Sequence, residues 1–224
     1  MLGVLVNVAT VLAGSLIGLL LKRGLSEKIA KAMTTGVALA VVYIGIDGMM
    51  SGEKTLVLIL SLVIGGLIGT VLDLDVHLEH LGKKIERRFH SENGSIAEGF
   101  VSATLLFCVG AMTVVGALQS GLSNDHEMQY TKAVLDFISS IILASTLGFG
   151  VMLSSLSVLV IQGSITLLAR FVAPYLNDAV VAEMTCVGSV LILALALNLL
   201  GVTRIKLMNY VPAIFLPILL CRFM

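Results

Sequence analysis

The stretch from Leu135 to Phe171 carries no charged side chain except Asp136 near its start and Arg170 near its end. A helix needs only about 20 residues to cross the hydrocarbon core of a bilayer, so this stretch is nearly twice as long as one crossing. Apolar runs recur along the whole chain, in which 58% of the residues are hydrophobic and 12% are charged. A core of 224 residues cannot bury that much apolar surface in water. The sequence therefore predicts an all-α, polytopic transmembrane bundle, with one integral membrane domain over residues 1–224 and the lipid bilayer as its solvent.

The apolar runs divide into eight predicted spans joined by short polar connections. We expect the long stretch to supply two of them, joined by a tight turn at the sequence LSSLS, residues 153–157. If it formed a single helix, seven spans would remain. The predicted spans are Leu2–Leu21, Ile29–Met50, Thr55–Leu72, Gly99–Leu118, Ala133–Leu153, Ser155–Phe171, Val180–Leu200 and Leu207–Cys221.

The distribution of basic residues predicts which ends of these spans face the cytoplasm. With eight spans and the N-terminus outside, ten of the 14 Lys and Arg residues lie on the cytoplasmic side, as the positive-inside rule requires. Seven spans give the same division, so charge does not decide between the two numbers, and length favours eight. No basic residue precedes the first apolar run, and Lys22 and Arg23 follow it, which predicts a retained span rather than a cleaved leader.

One segment of the sequence occurs twice. The residues LSEKIAKAMTTGVAL, 25–39, match LNDAVVAEMTCVGSV, 176–190, and the same offset aligns Asp47 with Asn198. Ser26 and Asn177 occupy equivalent positions at the start of the two copies and are predicted helix N-caps. A third, partial copy pairs GSLIG at 14–18 with GGLIG at 65–69 and places Gln119 opposite Asp47. Under eight spans the second and seventh helices cross in opposite directions, so we interpret the pattern as an inverted repeat of the kind that builds alternating-access transporters. Chance similarity between apolar helices, or shared packing needs, is the alternative.

Polar residues inside the spans are the candidates for function, because polar groups are costly in lipid. Asp136, Ser139 and Ser140 share one helical face, and Asp136 is the candidate for cation or proton coupling. The alternative is an interfacial salt bridge with Lys132, one turn earlier. Hydroxyl groups near the middle of the fourth and fifth spans, beside glycines that allow a helix to break, are further candidates. These are Thr113, Ser145 and Thr146.

Uncharged amides and one further carboxylate complete the candidate site. Individually the amides are expected to join helices, and collectively they are expected to bind a small solute. This set comprises Asn7, Asp47, Gln119, Gln162 and Asn198.

Several functions are not indicated. The formal net charge is zero, so nothing favours nucleic acid as a partner. The cytoplasmic connection at about residues 73–98 has the sequence pattern of an amphipathic helix, which we expect to lie on the membrane surface. We expect no metal, no cofactor and no enzyme, because the sequence has no zinc spacing, no nucleotide loop and no nucleophile beside a base. Helix faces lined by small residues are compatible with self-association, so a homo-oligomer is possible.

Four long segments resemble a known family. They are LVNVATVLAGSLIGLLLKRGLSEKI, LLFCVGAMTVVGALQSGLS, LDFISSIILASTLGFGVMLSS and VLVIQGSITLLA. They resemble the YdfK-like bacterial membrane proteins, the family of domain of unknown function 554, over essentially the whole chain. The resemblance implies a multi-pass protein of the bacterial cytoplasmic membrane and assigns no activity. From the residues we expect a secondary transporter or permease for a small solute or ion, and the alternative is a non-transporting scaffold or regulatory protein.

Overall fold

The structure is a computed structural model that describes residues 1–22, 27–77, 80, 96–109 and 111–223. All regular elements in these ranges are helical. In chain order the α-helices are α1 (Leu2–Lys22), α2 (Glu27–Met49), α3 (Thr55–Val71), α4 (Ile96–Cys108), α5 (Ala111–Leu122), α6 (Glu127–Leu147), α7 (Gly150–Leu167), α8 (Ala169–Val172), α9 (Asp178–Leu199) and α10 (Pro217–Leu220). Two 3-10 helices, Ala173–Tyr175 and Leu207–Phe215, lie near the C-terminal end of the chain.

The outer surface of the bundle is apolar. Leu20, Leu67 and Leu156 are each 63% exposed, on three different helices. A protein surrounded by water rarely exposes so many large apolar side chains together, whereas lipid solvates them without penalty. The helical fold and its outward apolar side chains identify a membrane protein.

The number of long spans is smaller than eight. Within the described residues, four helices are long and apolar enough to cross a membrane: residues 2–21 of α1, then α6, α7 and α9. A fifth span results if α4 and α5, which are bent by 60°, count together. The predicted second, third and eighth spans correspond to shorter apolar helical segments, which are Thr34–Met49 within α2, Thr55–Val71 and Leu207–Leu220. The 17 residues of α3 extend about 26 Å, less than the roughly 30 Å of hydrocarbon.

The long apolar stretch does turn, but at a different place from the predicted one. Helix α6 ends at Leu147 and α7 begins at Gly150, so the residues LSSLS lie inside α7. Gly148 has φ 82°, a conformation that glycine adopts without the steric cost of a side chain. Ser154 and Ser155 donate to the carbonyls of Val151 and Met152 within the same helix. Serines that bond in this way are compatible with a continuous helix.

The cap predicted at the second copy of the repeated segment is present. The side chain of Asn177 accepts a hydrogen bond of 3.0 Å from the backbone N–H of Val180 at the start of α9. Its counterpart Ser26 lies outside the described residues, as do most of the predicted surface helix at 73–98 and Gly110, one of the glycines beside the hydroxyl candidates of the fourth predicted span. The internal repeat itself stays a prediction.

The contacts made by glycines show whether two paired helices run parallel or antiparallel. Gly14 of α1 lies against Phe137 of α6, and Gly18 lies against Ile141, so the two helices run parallel. A Cβ atom at either glycine would meet a backbone carbonyl of α6, which is why these positions lack a side chain.

The helices that contain the two similar segments, α2 and α9, also pack against each other. Gly45 and Gly48 of α2 lie against Leu193 and Ser189 of α9, so these helices run antiparallel.

Two more helix pairs pack closely within the described residues. Helix α3 runs antiparallel to the 3-10 helix Leu207–Phe215, because Gly65 meets Ala213 and Gly69 meets Asn209. Helices α4 and α7 run parallel: Gly99 lies beside Gly150, and five residues later Thr104 donates to Ser157 at 3.1 Å.

Candidate functional site

A buried ion pair lies on α6. Lys132 Nζ donates to Asp136 Oδ1 at 2.9 Å, and each side chain is only 7% exposed. The salt bridge with Lys132 that was predicted as the alternative is present, and both of its side chains are buried between helices. Two charges removed from water carry a large desolvation cost, which the pairing offsets only in part.

Two amides from other helices complete the network. Asn7 Nδ2 of α1 donates to Asp136 Oδ2 at 2.9 Å and to Gln162 Oε1 of α7 at 3.2 Å. Both amides are buried, Asn7 completely. Each oxygen of the Asp136 carboxylate thus has a donor, one from Lys132 and one from Asn7.

The helical period explains why these groups meet. Gln129, Lys132 and Asp136 follow one another by three and four residues, so they lie on one face of α6. Gly3, Gly14 and Gly18 let α1 approach that face closely enough for Asn7 to reach the carboxylate.

Several buried amide atoms have no hydrogen-bond partner among the described residues. They are Asn7 Oδ1, Gln162 Nε2 and both polar atoms of Gln129. Unpaired polar atoms of this kind destabilise a fold, and they are most often retained where a protein binds something or changes shape.

Beside the ion pair lies a cavity of about 800 Å³, within the usual range for ligand pockets. It is bounded by α2, α6 and α9 and by the junction between α4 and α5. The fourth and fifth predicted spans, which correspond to α4–α5 and α6, both contribute to its walls. Most of its walls are apolar, and its polar side chains are Asp47, Ser51, Thr113, Lys132, Asp136, Ser139, Thr185 and Ser189.

Four of the predicted site residues, Asp47, Thr113, Asp136 and Ser139, thus line one cavity. Thr113 is buried and donates to the carbonyl of Phe107 at 3.1 Å, which holds the junction between α4 and α5. Asn7 and Gln162 do not line the cavity: Asn7 holds Asp136, and Gln162 accepts a hydrogen bond from Asn7.

The other hydroxyl candidates serve packing. Ser140 and Ser145 face α1, where they lie against Gly14 and Gly18, and each donates to a carbonyl of its own helix. Thr146 also donates to carbonyls of α6. Ser139 and Ser140 therefore point to different neighbours, although they are adjacent on the helix.

Asn198 is a structural residue at the end of α9. Its Oδ1 accepts from Thr203 and from the backbone N–H of Ile205, and its Nδ2 donates to the carbonyl of Ile205. This closes the connection that follows α9, away from the 800 Å³ cavity. Gln119 is half-buried on α5 and does not line that cavity either.

Several buried polar residues escaped the sequence prediction, Gln129 and Glu183 among them. Gln129 is 1% exposed, and its spacing from Lys132 and Asp136 would have revealed it. Glu183 is 3% exposed in the first part of α9, and its Oε1 accepts from the backbone N–H groups of Glu53 and Lys54, at 2.8 Å each. Glu183 could have been found from the sequence because its carboxylate lies within a predicted span. No group of three or more His, Cys, Asp or Glu residues is placed to bind a metal in the described part of the chain.

Comparison with known proteins gives a family and two relatives. The family model described as "Protein of unknown function (DUF554)" matches residues 2–222. The chain is 33% identical over 221 residues to the uncharacterized membrane protein YdfK of Bacillus subtilis (strain 168), covering 97% of this chain and 94% of that protein. It is 29% identical over 220 residues to the uncharacterized protein YqgA of Escherichia coli (strain K12), covering 96% and 94% of the two chains. No solved structure matches the chain.

Proposed function

The chain belongs to the DUF554 family, and from that premise we propose that it is a secondary transporter or permease for a small solute or ion. We place it in the bacterial cytoplasmic membrane, with the lipid bilayer and a small solute as its partners and without enzymatic activity. The observation that carries the proposal is the buried Lys132–Asp136 pair in the wall of a cavity of about 800 Å³.

Stability alone does not explain why the buried Lys132–Asp136 pair is present. Replacing a buried ion pair with apolar side chains of similar volume often leaves a protein equally stable or more stable. Ionisable residues inside a membrane protein are therefore the first candidates for a substrate or ion pathway. The accessible cavity beside the pair supports that interpretation.

The alternative is a non-transporting scaffold or regulatory protein. Gly14, Gly18, Gly65 and Gly69 favour neither function, because each serves close helix packing. A scaffold gains nothing from a large cavity beside charged groups, so the cavity supports the permease.

Relative helix directions support eight spans over seven. In the eight-span topology the first and fifth spans run in the same direction, as α1 and α6 do, and so do the fourth and sixth, as α4 and α7 do. The second and seventh spans run in opposite directions, as α2 and α9 do. The antiparallel contact between α2 and α9 also supports the proposal that they form an inverted repeat.

Asp136 is the proposed coupling residue. When it is ionised, it holds the Lys132 ammonium at 2.9 Å. Protonation would remove the charge that attracts Lys132 and would release that side chain toward the cavity. A proton gradient could in this way open and close the binding site.

Flux measurements test the proposal. Purified protein is reconstituted into vesicles, and swelling is followed by light scattering after isosmotic addition of glycerol, sodium acetate, methylammonium chloride or glycine. We expect at least one of these solutes to enter faster than it enters empty vesicles, at a rate that depends on the pH gradient. Asp136→Asn should remove that dependence, and Asp178→Asn, an exposed residue at the start of α9, should preserve it.

If none of the four solutes enters faster while the helical circular dichroism signal is intact, the permease proposal is overturned and the scaffold is favoured.

A further inference from the structure

We propose that the cavity binds a small zwitterion with an apolar body, an amino-acid-like molecule whose carboxylate contacts Lys132 and whose ammonium group contacts Asp47. This inference rests on the proposed function, since it names the substrate class of the same cavity.

Lys132 has unused hydrogen-bonding capacity. Its ammonium group carries three N–H donors, and among the described residues only one is used, toward Asp136 Oδ1. The side chain lines the cavity. The remaining donors can therefore bind a carboxylate that enters the cavity, and a charge-assisted hydrogen bond in a partly water-excluded site is strong.

Asp136 does not offer the matching site for a positive charge. Its two oxygens already accept hydrogen bonds from Lys132 and Asn7, each at 2.9 Å. A cation bound directly at Asp136 would have to compete with the Lys132 ammonium at the same carboxylate.

Asp47 does offer such a site. It lies near the C-terminal end of α2 and lines the same cavity as Lys132, which is on α6. Its carboxylate has no hydrogen bond or ion pair with any side chain that the structure describes. Because it is exposed, it remains available to a ligand's ammonium group.

The rest of the cavity wall selects an apolar body. Ile44, Leu106, Leu135, Ile142 and Ile192 contribute branched aliphatic side chains from four helices. Burial of aliphatic groups against such a wall is favourable by about 25 cal/mol per Å². A ligand with two opposite charges and an aliphatic portion therefore complements the cavity better than an inorganic ion does.

Calorimetric titration of the purified protein with four probes that share one branched alkyl body tests the inference. Leucine carries both charges, 4-methylpentanoate only the carboxylate, 3-methylbutylamine only the ammonium, and 4-methylpentanamide neither. We expect leucine to bind most tightly and the two singly charged probes about tenfold more weakly.

Variants identify the contacts. Asp47→Asn should lower the affinity for leucine about tenfold and leave the affinity for 4-methylpentanoate unchanged. Asp178→Asn, at an exposed position outside the cavity, should change neither. Since Lys132→Met alone leaves Asp136 unpaired, the double variant Lys132→Met/Asp136→Leu is used, and it should lose the preference for leucine over 3-methylbutylamine.

The outcomes separate the two proposals. Absence of leucine binding, or equal binding of leucine and 3-methylbutylamine by the unaltered protein, overturns the zwitterion inference and leaves the permease to the flux measurement. Leucine that binds as expected but does not enter vesicles faster than through lipid supports the inference and counts against the permease.

Discussion

Asn7 and Asp136 are 129 residues apart in the sequence, yet Asn7 Nδ2 lies 2.9 Å from Asp136 Oδ2 in a fully buried contact. The same nitrogen donates to Gln162 Oε1, so one amide on α1 connects α6 to α7. An amide at this position stabilises the carboxylate by a charge-assisted hydrogen bond and fixes its orientation toward Lys132.

Substitution of Asn7 should destabilise the bundle. In Asn7→Ala, Asp136 Oδ2 and Gln162 Oε1 lose their donor, and we expect a loss of about 2–3 kcal/mol in the free energy of unfolding. Thr10→Ala on the same helix removes only a bond to a carbonyl of its own helix and should cost below about 0.5 kcal/mol. Denaturant unfolding in detergent compares the two, and equal losses would show that Asn7 does not hold Asp136.

The Lys132–Asp136 pair should behave as a unit. Lys132→Met leaves an unpaired buried carboxylate and should cost about 3–5 kcal/mol, whereas Lys132→Met/Asp136→Leu should recover most of that loss. A double-mutant cycle of unfolding free energies measures the coupling. Additive effects of the two substitutions would contradict the buried pair, because independent residues show no coupling energy.

Substitution of two glycines by alanine should change the stability of the protein in opposite directions. At Gly14 a Cβ atom would meet the backbone carbonyl of Phe137, so Gly14→Ala should destabilise by about 1–3 kcal/mol. At Gly36 no atom lies within 4 Å of a new Cβ atom, so Gly36→Ala should stabilise α2 by about 0.5–1 kcal/mol. Thermal unfolding in one detergent compares the pair, and a tolerated alanine at Gly14 would argue against close contact between α1 and α6.

Glu183 should control the connection between α2 and α3. Its carboxylate binds the N–H groups of Glu53 and Lys54, so Glu183→Ala should speed amide hydrogen exchange at both positions about tenfold or more. Asp178→Ala, five residues earlier on the exposed start of α9, serves as the control. Unchanged protection at Glu53 and Lys54 would mean that other contacts hold the connection.

Labelling of single cysteines should establish the topology. After replacement of Cys108, Cys186 and Cys221, a cysteine at Arg170 should react with an impermeant maleimide added outside, and a cysteine at Lys206 should react only after the membrane is opened. Both positions are exposed, so burial does not confuse the result. The reverse pattern would support seven spans and remove the inverted repeat.

The sequence was most informative about local structure. Apolar length predicted the helices, and Asn177 predicted a cap, because both depend on neighbours along the chain. The turn between α6 and α7 was misplaced because a run of serines resembles a turn, whereas those serines bond to their own helix and Gly148 supplies the required backbone conformation.

The site was predicted only in part, for a related reason. Asp136 and Asn7 were recognised separately as polar residues in lipid, but their contact depends on helix pairing, which one sequence does not reveal. The burial of Lys132 was missed because an i,i+4 ion pair looks the same at a surface and inside a bundle. Asn198 looked functional through its alignment with Asp47, yet it closes a connection at its own helix end.

The long separation between Asn7 and Asp136 has a consequence for biosynthesis. Helix α1 leaves the ribosome before its partner α6, which follows only after more than a hundred further residues have been translated. At about 5–20 residues per second this interval is on the order of ten seconds, during which the Asn7 amide lies in the membrane without the carboxylate that it will bind. We expect α1 to remain beside the insertion machinery until α6 emerges. Crosslinking of ribosome-bound chains of increasing length should detect that contact, and it should disappear once α6 has entered the bilayer.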